Sequence, residues 1–278
     1  MHKPAPRLGA FFLNAPYWLW SILFIIAPLA MVAVFAFTDD QGQFSMASFQ
    51  YLRENRDKFA RVFGDSLSYA FEATVICLGL AFPLAHFMAY ARPSTQRTLM
   101  MLLMVPMWMN FLICTYSWRA ILETHGIVNN LLAFIHLPRL KLLNTPGAVI
   151  LGMVYNYLPF MILPIYTVMN RLNVSLVEAA QDLGANRLHV LRKITVPLSL
   201  PGVVSGVTMV FVPSVSTFYI SQKLGPKDIQ LIGDVIESRM LEEKNLGAAL
   251  SLILMAIILV SMMVLRRFSD KEEGAFIA

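Results

Sequence analysis

Glu72 places a carboxylate about five residues inside an apolar stretch, LSYAFEATVICLGLAFPLAHFMAYA at 67–91. An ionisable group at such a position is a functional-site candidate by default, because holding a charge away from water is costly. Two readings are open, and they can coexist. Glu72 meets a cationic ligand, or it pairs with Arg119, near the outer end of another apolar stretch. Aromatic and amide side chains gather in neighbouring stretches: Trp108, Asn110, Tyr116 and Trp118, then Tyr155, Asn156 and Tyr157, then Phe218 and Tyr219. Aromatic faces attract ammonium groups by roughly 0.5–2 kcal/mol each. Tryptophan and tyrosine near a span end also act as interface anchors, and that reading is preferred for Trp18, Trp20, Trp118 and Tyr219. Trp108, Asn110, Tyr155 and Asn156 fall deeper and join Glu72 as candidates to line a cavity.

Covalent and metal chemistry find little support. The chain has no H-E-x-x-H and no G-x-S-x-G, and no G-x-x-x-x-G-K-[ST] phosphate loop. His86 and His189 each stand alone on a helical stretch, so no metal site is expected. Cys77 and Cys114 lie inside apolar runs without metal-ligand spacing, and two thiols define no disulfide framework. The 17 methionines read as soft packing. A net charge of +5 raises the question of nucleic acid, but no basic stripe with interleaved aromatics is present.

The elements that must position these residues are membrane spans. The 278 residues are 57% hydrophobic and 14% charged, against about 25% charged in an ordinary soluble domain, and mean hydropathy is +0.62. A spanning helix needs about 20 mainly apolar residues. Six stretches qualify: 17–38, 67–91, 99–122, 146–170, 202–221 and 247–265. They make one all-α integral membrane domain over 1–278, with no linker or repeat dividing it. The first stretch exceeds a signal-peptide core and lacks a small-x-small cleavage site, so it is read as a retained helix. Gly202 and Gly206 form a single small-xxx-small match within the fifth.

Six spans place both termini on one side. With that side cytoplasmic, it carries Lys3, Arg7, Arg92, Arg97, Arg171, Arg187, Arg192, Lys193, Arg266, Arg267 and Lys271, half of the 22 basic residues. The count does not decide orientation, but loop length does. The inner loop RPSTQRT at 92–98 is short, basic and free of acids, and Arg266 and Arg267 directly follow the last span. The longer outer loops 39–66, 123–145 and 222–246 balance their bases with acids such as Asp39, Asp40, Glu54 and Asp57. Short flanking loops carry the positive-inside rule, which favours cytoplasmic termini.

The largest inner connection, 171–201, then holds a polar island, VSLVEAAQDLGANRLHVLRKITVP. Ser175 followed three residues later by Glu178 reads as a capping box for a helix over 176–183. Gly184 supplies the left-handed residue that ends it. Asn186 caps a second helix, RLHVLRKITV, expected to stop at Pro197. Ala179 and Ala180 keep the first helix low enough for a partner to approach closely.

Glu178, Ala179 and Ala180, then Gly184, then Ile194 and Pro197 match position by position the pattern EAA, three residues, Gly, nine residues, Ile-x-x-Pro. The chain thereby resembles the bacterial ABC importer permeases, and six spans with this loop between the fourth and fifth agree along essentially its whole length. The stretches 103–129, 151–173 and 224–236 resemble more narrowly the permeases of spermidine/putrescine importers; relatives that carry iron, sulfate or other solutes share the loop. The resemblance implies the type I importer permease fold. It implies that Glu178, Ala179, Ala180, Asp182, Leu183, Gly184 and Ala185 form a cytoplasmic coupling helix docking on a separate ATPase. It further implies two ATP-binding subunits that hold ATP and Mg, a second permease chain, similar but distinct, and an extracytoplasmic substrate-binding protein. The cavity candidates then become substrate-pathway candidates, and a carboxylate at Glu72 suits a polyamine. The alternative class, a stand-alone secondary transporter, predicts inverted repeats, which are not detectable, and leaves the loop unexplained.

Overall fold

The computed structural model describes residues 8–39 and 41–277, without the side chains of 8–14, 174, 266 and 268–277. Lys3, Arg7 and Asp40, used above for orientation, lie outside the described residues, as do the side chains of Arg266 and Lys271. The described residues form helices in the order α1 (Leu8–Ser21), α2 (Ala27–Ala36), α3 (Ala47–Glu54), α4 (Arg56–Ala89), α5 (Pro93–Trp108), α6 (Phe111–Leu122) and α7 (Ile127–Phe134). There follow α8 (Pro146–Met169), α9 (Val174–Asp182), α10 (Arg187–Val190), α11 (Val196–Ser216), α12 (Tyr219–Leu224), α13 (Ile232–Glu242) and α14 (Lys244–Ile277). Wide π turns at Ile22–Ile26 and Leu191–Thr195 join α1 to α2 and α10 to α11 without a break.

Among the described residues, five helical runs are long and apolar enough to cross a membrane, and α5 with the α6–α7 run counts as a sixth if that bent pair is one span. The pair is where expectation and structure part. Residues 99–122 were expected as one span, but the chain breaks at Met109–Asn110 and the two runs bend by 93°. Asn110 causes the break locally: its side chain accepts from the N–H of Leu112 at 2.9 Å and of Ile113 at 3.4 Å, starting a new helix inside the apolar run. Pro106 weakens the last turn before it by removing a donor.

The fifth span also differs from its expected bounds. The helical run extends over Arg187–Ser216, 30 residues, and passes through Pro197 rather than stopping there. A proline within a helix clashes with the carbonyl four residues back and removes its donor. The π turn just ahead, closed by the Val196 N–H on the Leu191 carbonyl, widens the helix where that conflict would fall.

The chain separates into two compact units. One comprises residues 1–57 and 235–256. Its apolar α1–α2 run leaves most of its described side chains exposed, as a helix facing lipid would. Beyond α2, Phe37 stacks on Phe44 and Phe49, and the Asp39 carboxylate accepts from the N–H groups of Gln41 and Gln43 to close the turn.

The other unit, 58–234 and 257–278, holds the larger core. Its central pair is α8 against α11. A Cβ on Gly202 would lie 2.8 Å from the Pro164 carbonyl oxygen, and one on Gly206 2.8 Å from the Met161 sulfur. Both glycines of the small-xxx-small match therefore sit where backbone meets backbone. Met153, Met161, Ile162, Ile165 and Val210 are fully buried beside them. The opposite end of α8 receives α12 in the same way, since a Cβ on Gly152 would press within 2.9 Å of Ile220 and 2.7 Å of Leu224. Gly202→Val is expected to destabilise the fold by about 1–3 kcal/mol through overpacking, read as a lower unfolding midpoint of the purified protein. Gly79→Val, whose Cβ has nothing within 4 Å, is the tolerated control; equal midpoints for the two variants would contradict the tight contact.

Candidate coupling and substrate-path sites

The loop after α8 is built as helix, glycine turn, helix. Its first cap differs from the capping box expected of Ser175 and Glu178. Asn173 is the N-cap, and its side chain accepts from the Ser175 N–H at 3.1 Å, so α9 starts one residue before Ser175. Ser175 is thus inside the helix, and Glu178 points outward, with no side-chain hydrogen bond or ion pair among the described residues. Asn173 and Ser175, two residues apart, are both of good capping type; Asn173 has the extended backbone of an N-cap (φ −70°, ψ 115°), whereas Ser175 already lies in the helix.

The far end of α9 follows expectation. Gly184 has φ +85°, in the left-handed region. Its N–H bonds the Gln181 carbonyl at 2.8 Å, and the Ala185 N–H reaches the Ala180 carbonyl at 3.0 Å. These two bonds are a Schellman motif, which satisfies the last carbonyls of the helix. Asn186 then caps α10, accepting from the His189 N–H at 2.8 Å.

All seven coupling candidates fall on one protrusion. Glu178, Ala179, Asp182, Leu183 and Gly184 are exposed, and Ala180 and Ala185 are half-buried. Leu183 is 90% exposed at the tip of the turn, and Leu176 and Leu188 expose about half of theirs. An apolar tip in water is costly unless a partner covers it. None of Glu178, Asp182, Arg187, Arg192 and Lys193 forms an ion pair among the described residues. Behind α9 lies a cleft of about 400 Å³, lined by His86 from α4 and Tyr90 just beyond it, Val177 and Gln181 from α9, and Arg187 and Thr195 beyond the turn.

The substrate-path candidates make separate contacts among the described residues. Glu72 is exposed on α4 and accepts from the Ser68 hydroxyl at 3.3 Å. Arg119 pairs instead with Glu123, the C-cap residue of its own helix, at 3.7 Å, so the Glu72–Arg119 ion pair is not formed. Trp108 is 81% exposed at the end of α5. Asn110 spends its oxygen on the cap of α6, and the Asn156 amide donates to the Gly152 carbonyl at 2.8 Å. Tyr155 meets Trp118 edge to face at 5.4 Å. Among the described residues, the aromatics that meet a cation are Tyr116 and Tyr219, with the Lys223 ammonium 5.8 and 5.5 Å from their ring centroids. Lys223 was missing from the sequence-based set. Its signal was the spacing Tyr219 to Lys223, four residues apart, which shares a helix face.

Asn173→Ala should fray the start of α9 by about 1 kcal/mol, roughly a fivefold faster amide exchange over its first turn, whereas Ser175→Ala should leave exchange there unchanged. Hydrogen–deuterium exchange over 174–182 reads the difference, and the reverse ranking would restore Ser175 as the cap.

Residues 81–273 match the family described as binding-protein-dependent transport system inner membrane component. The spermidine/putrescine transport system permease protein PotB of Haemophilus influenzae is 35% identical over 252 residues, covering 86% of this chain and 88% of that protein. PotB of Escherichia coli K12 is 35% identical over 258 residues, covering 90% and 94%. Among solved structures, a chain of a bacterial alginate ABC transporter, in complex with an alginate pentasaccharide-bound periplasmic protein, superposes with a TM-score of 0.79 at 16% identity over 94% of each chain. A chain of the MetNI methionine ABC transporter, in an inward-facing conformation, gives 0.55 at 15% identity over 78% of this chain and 94% of that one. Those two likenesses concern the fold, which is the type I permease fold expected from the loop pattern. The chain belongs to the binding-protein-dependent transport family and is a multi-pass inner-membrane permease component of an ABC transporter.

Proposed function

We propose that this chain is a path-forming subunit through which an ATP-driven importer moves polyamines such as spermidine and putrescine. The observation that carries the coupling half is the unbroken helical run Arg187–Ser216. A displacement applied at the exposed Leu183–Ala185 turn passes through α10 and the π turn straight into α11, and so to the α8–α11 core. The solute class rests on the similarity to the two PotB proteins.

In this reading the seven residues Glu178, Ala179, Ala180, Asp182, Leu183, Gly184 and Ala185 dock on an ATPase subunit, with Leu183 entering an apolar cleft of that partner. Two such subunits hold ATP and Mg, and this chain performs no covalent step. A similar, distinct permease completes the pathway, and an extracytoplasmic binding protein delivers the solute to the outer loops. Both termini face the cytoplasm, which puts Arg92, Arg97, Arg192 and Lys193 on the positive side of the bilayer. ATP binding and hydrolysis switch which side the cavity faces, so the solute must bind less tightly in one state than in the other. Among the path candidates, Glu72 and Tyr155 keep groups that a polycation can use. Trp108 offers an exposed ring, while Asn110 and Asn156 shape the helices that carry the path.

Two measurements test this. Gly184→Val forces a β-branched residue into a left-handed backbone at a cost of about 1–2 kcal/mol; co-purification of the ATPase or substrate-stimulated ATP hydrolysis should fall, while membrane insertion persists. Wild-type coupling in that variant would count against the docking role. Glu72→Gln should reduce spermidine uptake by the assembled transporter, and unchanged uptake would remove Glu72 from the path.

A further inference from the structure

Tyr116 on α6 and Tyr219 on α12 stand edge to face, with ring centroids 6.1 Å apart at 80°. Phe111 lies 6.1 Å from Tyr219. The Lys223 ammonium occupies the angle between the two tyrosines, and no carboxylate pairs with it among the described residues. A lysine head is normally held by water or an acid. Here it faces two aromatic rings, each an attraction of roughly 0.5–2 kcal/mol. Tyr116 is 50% exposed, so the cage is accessible from its α6 side.

The frame around the cage is firm. Ile220 and Leu224 seat α12 on α8 at Gly152. The Ser221 hydroxyl donates to the Asp234 carboxylate at 3.0 Å, and the other oxygen of that carboxylate accepts from the Leu231 N–H at 2.9 Å. The Ile232 N–H donates to Ser66 on α4 at 2.7 Å. These bonds fix the helix that carries Tyr219, whereas Lys223 sits on a flexible four-carbon stem and can leave without disturbing it.

We infer that the Tyr116–Tyr219 cage is an ammonium subsite that the chain fills with its own lysine, and that a cationic amine enters by displacing Lys223. That the amine is a polyamine rests on the function proposed above; the cage itself requires only an alkylammonium. Alkylammonium heads suit it because aromatic cages recognise such cations through the ring faces. Without a carboxylate the site holds its guest weakly, and the tethered lysine returns to the cage once the guest moves on. A subsite on a transport path has to release as readily as it binds.

The test uses the assembled transporter in nanodiscs without its binding protein. A pulse of reductive methylation, read by mass spectrometry of the Lys223 peptide, reports whether the lysine is caged. Hexamethonium, a bis-quaternary ammonium that cannot itself be methylated, is the probe. Displacement predicts that saturating hexamethonium speeds Lys223 labelling roughly threefold or more, the factor expected when one to two ring contacts are lost. In Tyr116→Leu/Tyr219→Leu, labelling should be fast with or without the probe. If that variant does not assemble, Lys223→Met provides the second arm: labelled hexamethonium should bind it several-fold more tightly than wild type. Slower or unchanged labelling in wild type, or no gain in affinity in Lys223→Met, overturns the inference. Spermidine uptake by wild type is measured in parallel. Its absence, with labelling still accelerated, would refute the polyamine reading and leave the cage standing.

Discussion

The contact of α8 with α11 at Gly202 and Gly206 is the constraint on which the larger unit depends. Between lipid-embedded helices there is little hydrophobic gain in leaving one apolar surface for another, so close van der Waals fit and interhelical polar contacts hold them together. Two missing Cβ atoms bring α11 to within contact distance of the Pro164 carbonyl and the Met161 sulfur. The same device at Gly152 fixes α12 on the other end of α8. One helix thus anchors both the segment that continues from the polar loop and the segment that carries the tyrosine cage.

The placement of helix breaks complements that anchor. Pro197 does not interrupt the run from Arg187, because the π turn at Leu191–Thr195 widens the helix ahead of it. The run ends instead at Ser216, and a separate short helix starts at Tyr219. On the other side of the cage, Asn110 starts α6 afresh after α5. A continuous helix transmits displacement along its length, while a break allows the segment beyond it to be aimed independently. The chain is continuous where motion must be passed on and broken where side chains must converge.

The polar loop and the cage treat charge in opposite ways. On the loop, Glu178, Asp182, Arg187 and Arg192 are exposed beside an apolar tip and form no ion pair among the described residues, the arrangement of a surface that finishes its contacts with a partner. In the cage, Lys223 faces two rings, and no carboxylate pairs with it among the described residues. Exposed charges cost little to leave unpaired in water, and weak aromatic holding leaves a cation free to exchange.

The amino-acid sequence by itself determined what depends on short range. Apolar length marked the spans, and Gly184 and Asn186 were legible as the end of one helix and the start of the next, since each acts within three or four residues. The EAA spacing, likewise local, pointed to the family. Tertiary structure decided the rest. It chose Asn173 over Ser175 as cap, because two residues of similar capping ability lie two positions apart and only the one with extended backbone at the helix start can cap it. It paired Arg119 with Glu123 rather than Glu72, because a residue four positions on, at the cap of the same helix, is within reach while a second helix must be brought there. It joined Tyr116 to Tyr219 and Lys223 across about a hundred residues of chain. Local hydrogen-bond geometry is encoded in a few consecutive residues, whereas the meeting of two distant side chains depends on how every helix between them packs.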